Sequence, residues 1–157
     1  MHQRENLAKD AIDRRIKARE LAFQAVFQYD MQATPDKMLL EFFFRENADD
    51  QLVRQLAREW TFGTIENNEE IDLLLASVIK RWKTKALMPI ERAILRLSTY
   101  QLLYCKQIPG KVVVNEAIEL SKKFSTENSP SFVNGILDAI LKKQNNPEQS
   151  EQPTTTD

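Results

Sequence analysis

Cysteine occurs once in the 157 residues, histidine once and glycine three times. The lone Cys105 excludes an intrachain disulfide and any multi-cysteine metal site. Within the apolar stretch LLYC it reads as a buried, inert thiol. His2 lies in the N-terminal segment, so a histidine-based triad or metal site is excluded. With glycine far below its usual ~7%, few strand-turn signals remain and helices are favoured. No GxGxxG, P-loop or HExxH pattern is present. No apolar run approaches the ~18 residues needed to cross a membrane, and the start MHQRENLAKD has no apolar h-region. A soluble cytoplasmic protein is therefore expected. Excess charge of one sign is missing too. A net charge of −1 and a pI near 6.0 rule out a globally basic field, so a nucleic-acid role would need a local patch.

What is present is ordinary for a globular chain, with 42% hydrophobic and 29% charged residues. The length suffices for one core or two small helical layers sharing a core. Apolar periodicity predicts an all-α protein of about seven helices. The first runs from about 14 to 32, with Asp10 or Asp13 as N-cap and a face of Leu21, Ala22, Ala25, Val26 and Tyr29. Residues 1–13 are expected to be flexible. Thr34-Pro35 opens a short helix carrying Met38, Leu39, Phe42 and Phe43. Asp49 or Asp50 caps a third, with Leu52, Val53, Leu56 and Trp60 inward, which continues through Gly63, where a neighbouring helix can approach. Asn67 with Glu70 resembles a capping box for a fourth helix burying Ile71, Leu74, Leu75, Val78 and Trp82. Pro89 begins a fifth, with Ile90, Ala93, Ile94, Leu97, Tyr100 and Tyr104 on one face. Pro109-Gly110 breaks the chain before a sixth along Val113, Ala117, Leu120 and Phe124, and Ser129-Pro130 starts a seventh. The polar tail from Gln144 to 157 is expected to be disordered.

Two constellations stand out. Residues 14–19 put Arg14, Arg15, Lys17 and Arg19 at the expected start of the first helix, where the macrodipole disfavours cations by a few tenths of a kcal/mol each. Arginine forks suit phosphate, and clustered cations release counterions together. The alternative is a solvated helix end. The second constellation is KKFSTENSPSFVNGILDAI, residues 122–140. It joins two cations, a polar turn and Phe132 at a helix start that favours anions. Phe132 reads either as a platform for an unpaired base or as core. The acidic pairs Asp49-Asp50 and Glu69-Glu70 fall where helix starts favour negative charge. No catalytic residue, metal or cofactor is expected.

The segments RIKARELAFQAVFQYD, IERAILRLSTYQLLY, PGKVVVNEAIELSKKFS and SFVNGILDAI, in this order and spacing, resemble the NusB family of transcription antitermination factors over about residues 14–142. The resemblance implies two helical subdomains, about 14–65 and 66–143. It also implies binding to the boxA element of nascent RNA and pairing with NusE, a small-subunit ribosomal protein, within the RNA polymerase antitermination complex on ribosomal RNA operons. Residue by residue, it carries RNA contact onto Arg15, Lys17 and Arg19, with Arg14 adjacent, and onto Asn128 and Phe132. Ile16 stands where relatives are often basic, and Asn128 where some are acidic. The partner surface falls on Glu91, its carboxylate expected to point outward, and on Phe27. Some members form homodimers that bury the RNA surface. Competing readings are the N-terminal part of an RNA cytosine methyltransferase, whose chains continue into an α/β domain that this tail does not resemble, and a helical scaffold that never touches RNA.

Overall fold

The computed structural model describes residues 2–79 and 87–146 and is helical throughout its regular structure. The elements are α1 (His2–Met31), α2 (Lys37–Asn47), α3 (Gln51–Glu66), α4 (Asn68–Ile79), α5 (Pro89–Tyr104), α6 (Gly110–Phe124) and α7 (Ser129–Asn145). The expected all-α architecture and helix order are found. Trp82 lies outside the described residues, as does most of the polar tail.

Helix α1 starts a dozen residues earlier than its periodicity suggests. Between His2 and Arg14 there is neither proline nor glycine, and Leu, Ala, Glu, Lys and Arg all favour the helix. Asp10 and Asp13 are therefore interior residues and not caps. The correction matters electrostatically. Arg14 to Arg19 sit near the middle of a 30-residue helix, beyond the last-turn reach of the dipole, so no dipole penalty attaches to them.

Side-chain capping sets the starts of α2 and α3. Asp36, and not Thr34, caps α2 by accepting from Met38 N at 2.9 Å. Asp50 caps α3 by accepting from Leu52 N and Val53 N. Asn67 closes α3 instead of opening α4: its Nδ2 donates to the Gly63 carbonyl at 2.7 Å. Glu70, the other half of the expected capping box, accepts a hydrogen bond from the Tyr104 hydroxyl. At the far end, α7 runs to Asn145, and Gln144 Nε2 donates to the Leu102 carbonyl at 3.0 Å. The expected tail thus begins inside a helix.

Helix α5 is the centre of the molecule and packs against α1, α3, α4, α6 and α7. It buries Ala93, Ile94, Leu95, Leu97 and Leu102 in one continuous apolar cluster with Ala18, Ala22, Ile71, Val113, Ala117, Val133 and Ile136. Gly63 makes room for the Tyr100 ring of α5, since a Cβ there would overlap Tyr100 Cζ and Oη. Arg96 locks α1 and α4 onto α5: it binds Asp72 through two bonds of 2.8 Å and Asp30 at 2.9 Å, and Arg92 joins it on Asp30. On α2, Leu40 and Phe44 are buried while Met38, Leu39 and Phe42 face outward. Leu52, expected inward on α3, is also exposed.

Candidate nucleic-acid interface

The four cations of residues 14–19 part company in the structure. A helix turns about 100° per residue, so four cations within six positions cannot share one face. Arg15 and Lys17 are exposed and make no hydrogen bond or ion pair among the described residues. Arg14 is exposed but engaged, its Nε 2.9 Å from Asp50 Oδ2. The Val53 and Leu52 backbone N–H groups, with Arg14 beside them, hold the Asp50 carboxyl below its ordinary pKa.

Arg19 departs from expectation. Only 2% of it is exposed, because it lies between Ala18 and Ala22 on the core-facing side of α1. Its Nε donates to Gln101 Oε1 at 3.2 Å, and a second nitrogen stands 3.6 Å from Glu116 Oε2. Its guanidinium lies 5.3 Å above the Trp60 ring. Burial lowers its pKa, and the charge of Glu116 opposes the shift. Arg19 is a charged strut joining α1, α3, α5 and α6. A phosphate cannot reach it in this conformation.

The second constellation is brought beside the first. Lys123, near the end of α6, contacts both carboxylate oxygens of Glu20 at 3.0 Å, and Phe124 packs 5.1 Å from Phe23. These contacts fasten the end of α6 to α1 one turn after Lys17. Five residues past Lys123, Asn128 is the exposed N-cap of α7, and its side chain makes no capping bond. Phe132 is half-buried and packs on the core edge. An open groove of about 600 Å³ runs along the same side, lined by Lys17, Glu20, Gln24, Asn47, Asp49 and Lys123. Glu20 and Gln24 come to it from the interior of α1, Asn47 from the end of α2 and Asp49 from the loop before α3.

The two residues expected at the partner surface fare differently. Phe27 is half-buried, its ring 6.5 Å from Phe23. Glu91 does not point outward. It is fully buried, accepts from Met88 N at 3.3 Å and accepts from Ser129 Oγ at 2.7 Å. An acid in the first turn of a helix has orphan N–H groups within reach, and here the start of α7 covers what remains.

Among the described residues no group of three or more metal-ligating side chains forms, and no helix is long and apolar enough to cross a membrane. These features define an all-helical protein that offers cations, amides and an aromatic edge on its surface. The NusB family model matches residues 16–142. Transcription antitermination protein NusB of Clostridium perfringens is 40% identical over 132 residues, 82% of this chain and 96% of its own. The protein of that name from Methylacidiphilum infernorum is 41% identical over 82% of this chain and 90% of its own. A structure of T. maritima NusB superposes with a TM-score of 0.74 at 38% identity, covering 88% of this chain and 97% of that one. A structure of the antitermination factors NusB and NusE in complex with dsRNA matches with a TM-score of 0.73 at 28% identity, covering 83% and 97%. The chain belongs to the NusB family.

Proposed function

We propose that this protein is a non-catalytic RNA-binding adaptor in transcription antitermination. It grips boxA-type single-stranded RNA along α1 and the start of α7, and it pairs with a NusE-type partner to support processive transcription of ribosomal RNA operons by RNA polymerase. The observation that carries the reading is the pair Arg15 and Lys17. Both cations are exposed and uncommitted, and the Lys123–Glu20 link fastens the end of α6, five residues before the free amide of Asn128, to α1 one turn after Lys17. Two cations bind phosphate without regard to sequence, whereas an amide both donates and accepts and can read a base edge. Arg14 joins only where Asp50 releases it. The division of labour fits two subdomains, cations from residues 14–65 and base contacts from 66–143. The relative solved with NusE and dsRNA supports both partner classes. Phe27 remains the residue we assign to the protein partner.

A direct titration tests this. Labelled single-stranded boxA-type RNA, a scrambled strand and a duplex are each titrated with the full chain, with and without NusE. Preference for the boxA strand, strengthened by NusE, is expected. Tighter binding of the duplex would redirect the reading to double-stranded RNA, and no binding in either setting would overturn it.

A further inference from the structure

The start of α7 is held by a buried hydrogen-bond network that the sequence does not announce. Ser129 is fully buried, its Oγ 2.7 Å from Glu91 Oε2, 2.7 Å from Ser125 Oγ and 3.1 Å from Thr126 Oγ1. A hydroxyl has one proton and two lone pairs. Since Ser129 donates its proton to Glu91, the neighbouring hydroxyls must donate to Ser129. The direction is therefore fixed: Ser125 and Thr126 to Ser129, and Ser129 to Glu91. The other Glu91 oxygen accepts from Met88 N, so one carboxylate ties the beginning of α5 to the turn 125–128 and to the first turn of α7.

An asparagine at an N-cap ordinarily spends its side chain on the free N–H groups of its own helix. Asn128 does not. The turn that presents it is secured from beneath by Ser129 and Glu91, which leaves the amide unspent on the surface. Phe132, whose N–H donates to the Asn128 carbonyl at 3.3 Å, takes its placement from the same turn.

We propose that Glu91 and Ser129 are positioning residues for RNA recognition: their bond sets the turn that aims Asn128 and Phe132 at the strand held by Arg15 and Lys17. The inference rests on the RNA-binding reading above. It assigns Glu91 a role opposite to the one its position suggests. A fully buried carboxylate acts on the RNA end of the molecule and not as a contact for a protein partner.

The test is a double-mutant cycle on affinity for boxA-type single-stranded RNA, using Ser129→Ala, Glu91→Ala and the pair, with Glu91→Gln as the conservative variant. Each single change is expected to lower affinity about tenfold, the scale of one charge-assisted hydrogen bond, with the salt dependence unchanged. The double variant should lose no more than the worse single. Glu91→Gln, which keeps an acceptor in place, should recover most of the loss. In the NMR spectrum of Ser129→Ala, the Asn128 side-chain amide and Phe132 ring signals should move while α1 signals stay. Where Glu91→Ala fails to fold, Ser129→Ala and its spectrum decide alone. Parental affinity in a folded Ser129→Ala, or losses that simply add in the double, would overturn the proposal. An Arg15→Ala/Lys17→Ala control separates the two levels. If it loses affinity and Ser129→Ala does not, positioning fails and RNA binding stands. If it binds as the parent does, the RNA reading itself fails.

Discussion

Removing Arg15 and Lys17 should change how RNA binding responds to salt, whereas removing Arg19 should change only how well the protein folds. Each phosphate neutralised on a single strand adds roughly −0.7 to the slope of log affinity against log salt. The structure leaves two of the four cations free, so Arg15→Ala/Lys17→Ala should make the slope shallower by about 1.4. Between 50 and 200 mM salt the parent would then lose about sevenfold more affinity than the variant. Stability should move by no more than about 0.5 kcal/mol, since both side chains are exposed and alanine is the best helix former. Arg19→Ala strips the donor from Gln101, leaves Glu116 without its cation and empties the space above Trp60. That should cost on the order of 3 kcal/mol, while the folded fraction keeps the parental slope. Anisotropy titrations at several salt concentrations, with thermal denaturation of each variant, make the comparison. If Arg19→Ala flattens the slope and melts like the parent, the burial argument is wrong. If the double variant keeps the parental slope, the patch is only a solvated stretch of helix.

Gly63→Ala would drive a Cβ into the end of the Tyr100 ring, and the resulting overpacking should cost about 1–3 kcal/mol in thermal or urea denaturation. Adding Tyr100→Leu should recover part of the loss, and a parental melting point for Gly63→Ala would contradict the seating of the Tyr100 ring over Gly63. Asp50 has a folded pKa below its ordinary 3.8, from the Val53 and Leu52 N–H bonds and from Arg14. Its contribution is complete above the unfolded value and lost as pH falls through the lower folded value. Asp50→Asn should therefore flatten the acid limb of Tm against pH below about pH 4, and an equally steep limb would refute the assignment.

What the sequence discloses and what it withholds divide along a physical line. Helix number and order are readable because Pro89, Pro109-Gly110 and Pro130 punctuate them, and because α3, α6 and α7 space their apolar residues at helical intervals. The face of α2 is not readable. Six of the eleven residues in KMLLEFFFREN are large and apolar, so periodicity cannot choose among them, and packing selects Leu40 and Phe44. The start of α1 is not readable, because Asp10 and Asp13 look like caps whereas only a breaker or a competing contact would end the helix there. The basic segment of α1 shows the same division. That residues 14–19 are basic is a local property, visible in any window. Which of those cations remain available is decided by partners far along the chain: Asp50 for Arg14, and Gln101 and Glu116 for Arg19. Glu91 is the same case in reverse, since helix-start chemistry suggests a surface acid until Ser129, 38 residues away, closes over it. The only local hint at Arg19 is its setting between Ala18 and Ala22, small residues that keep a core face narrow enough for a guanidinium to reach Trp60. Charge marks where a partner is sought, and tertiary packing decides whether that partner is the protein itself.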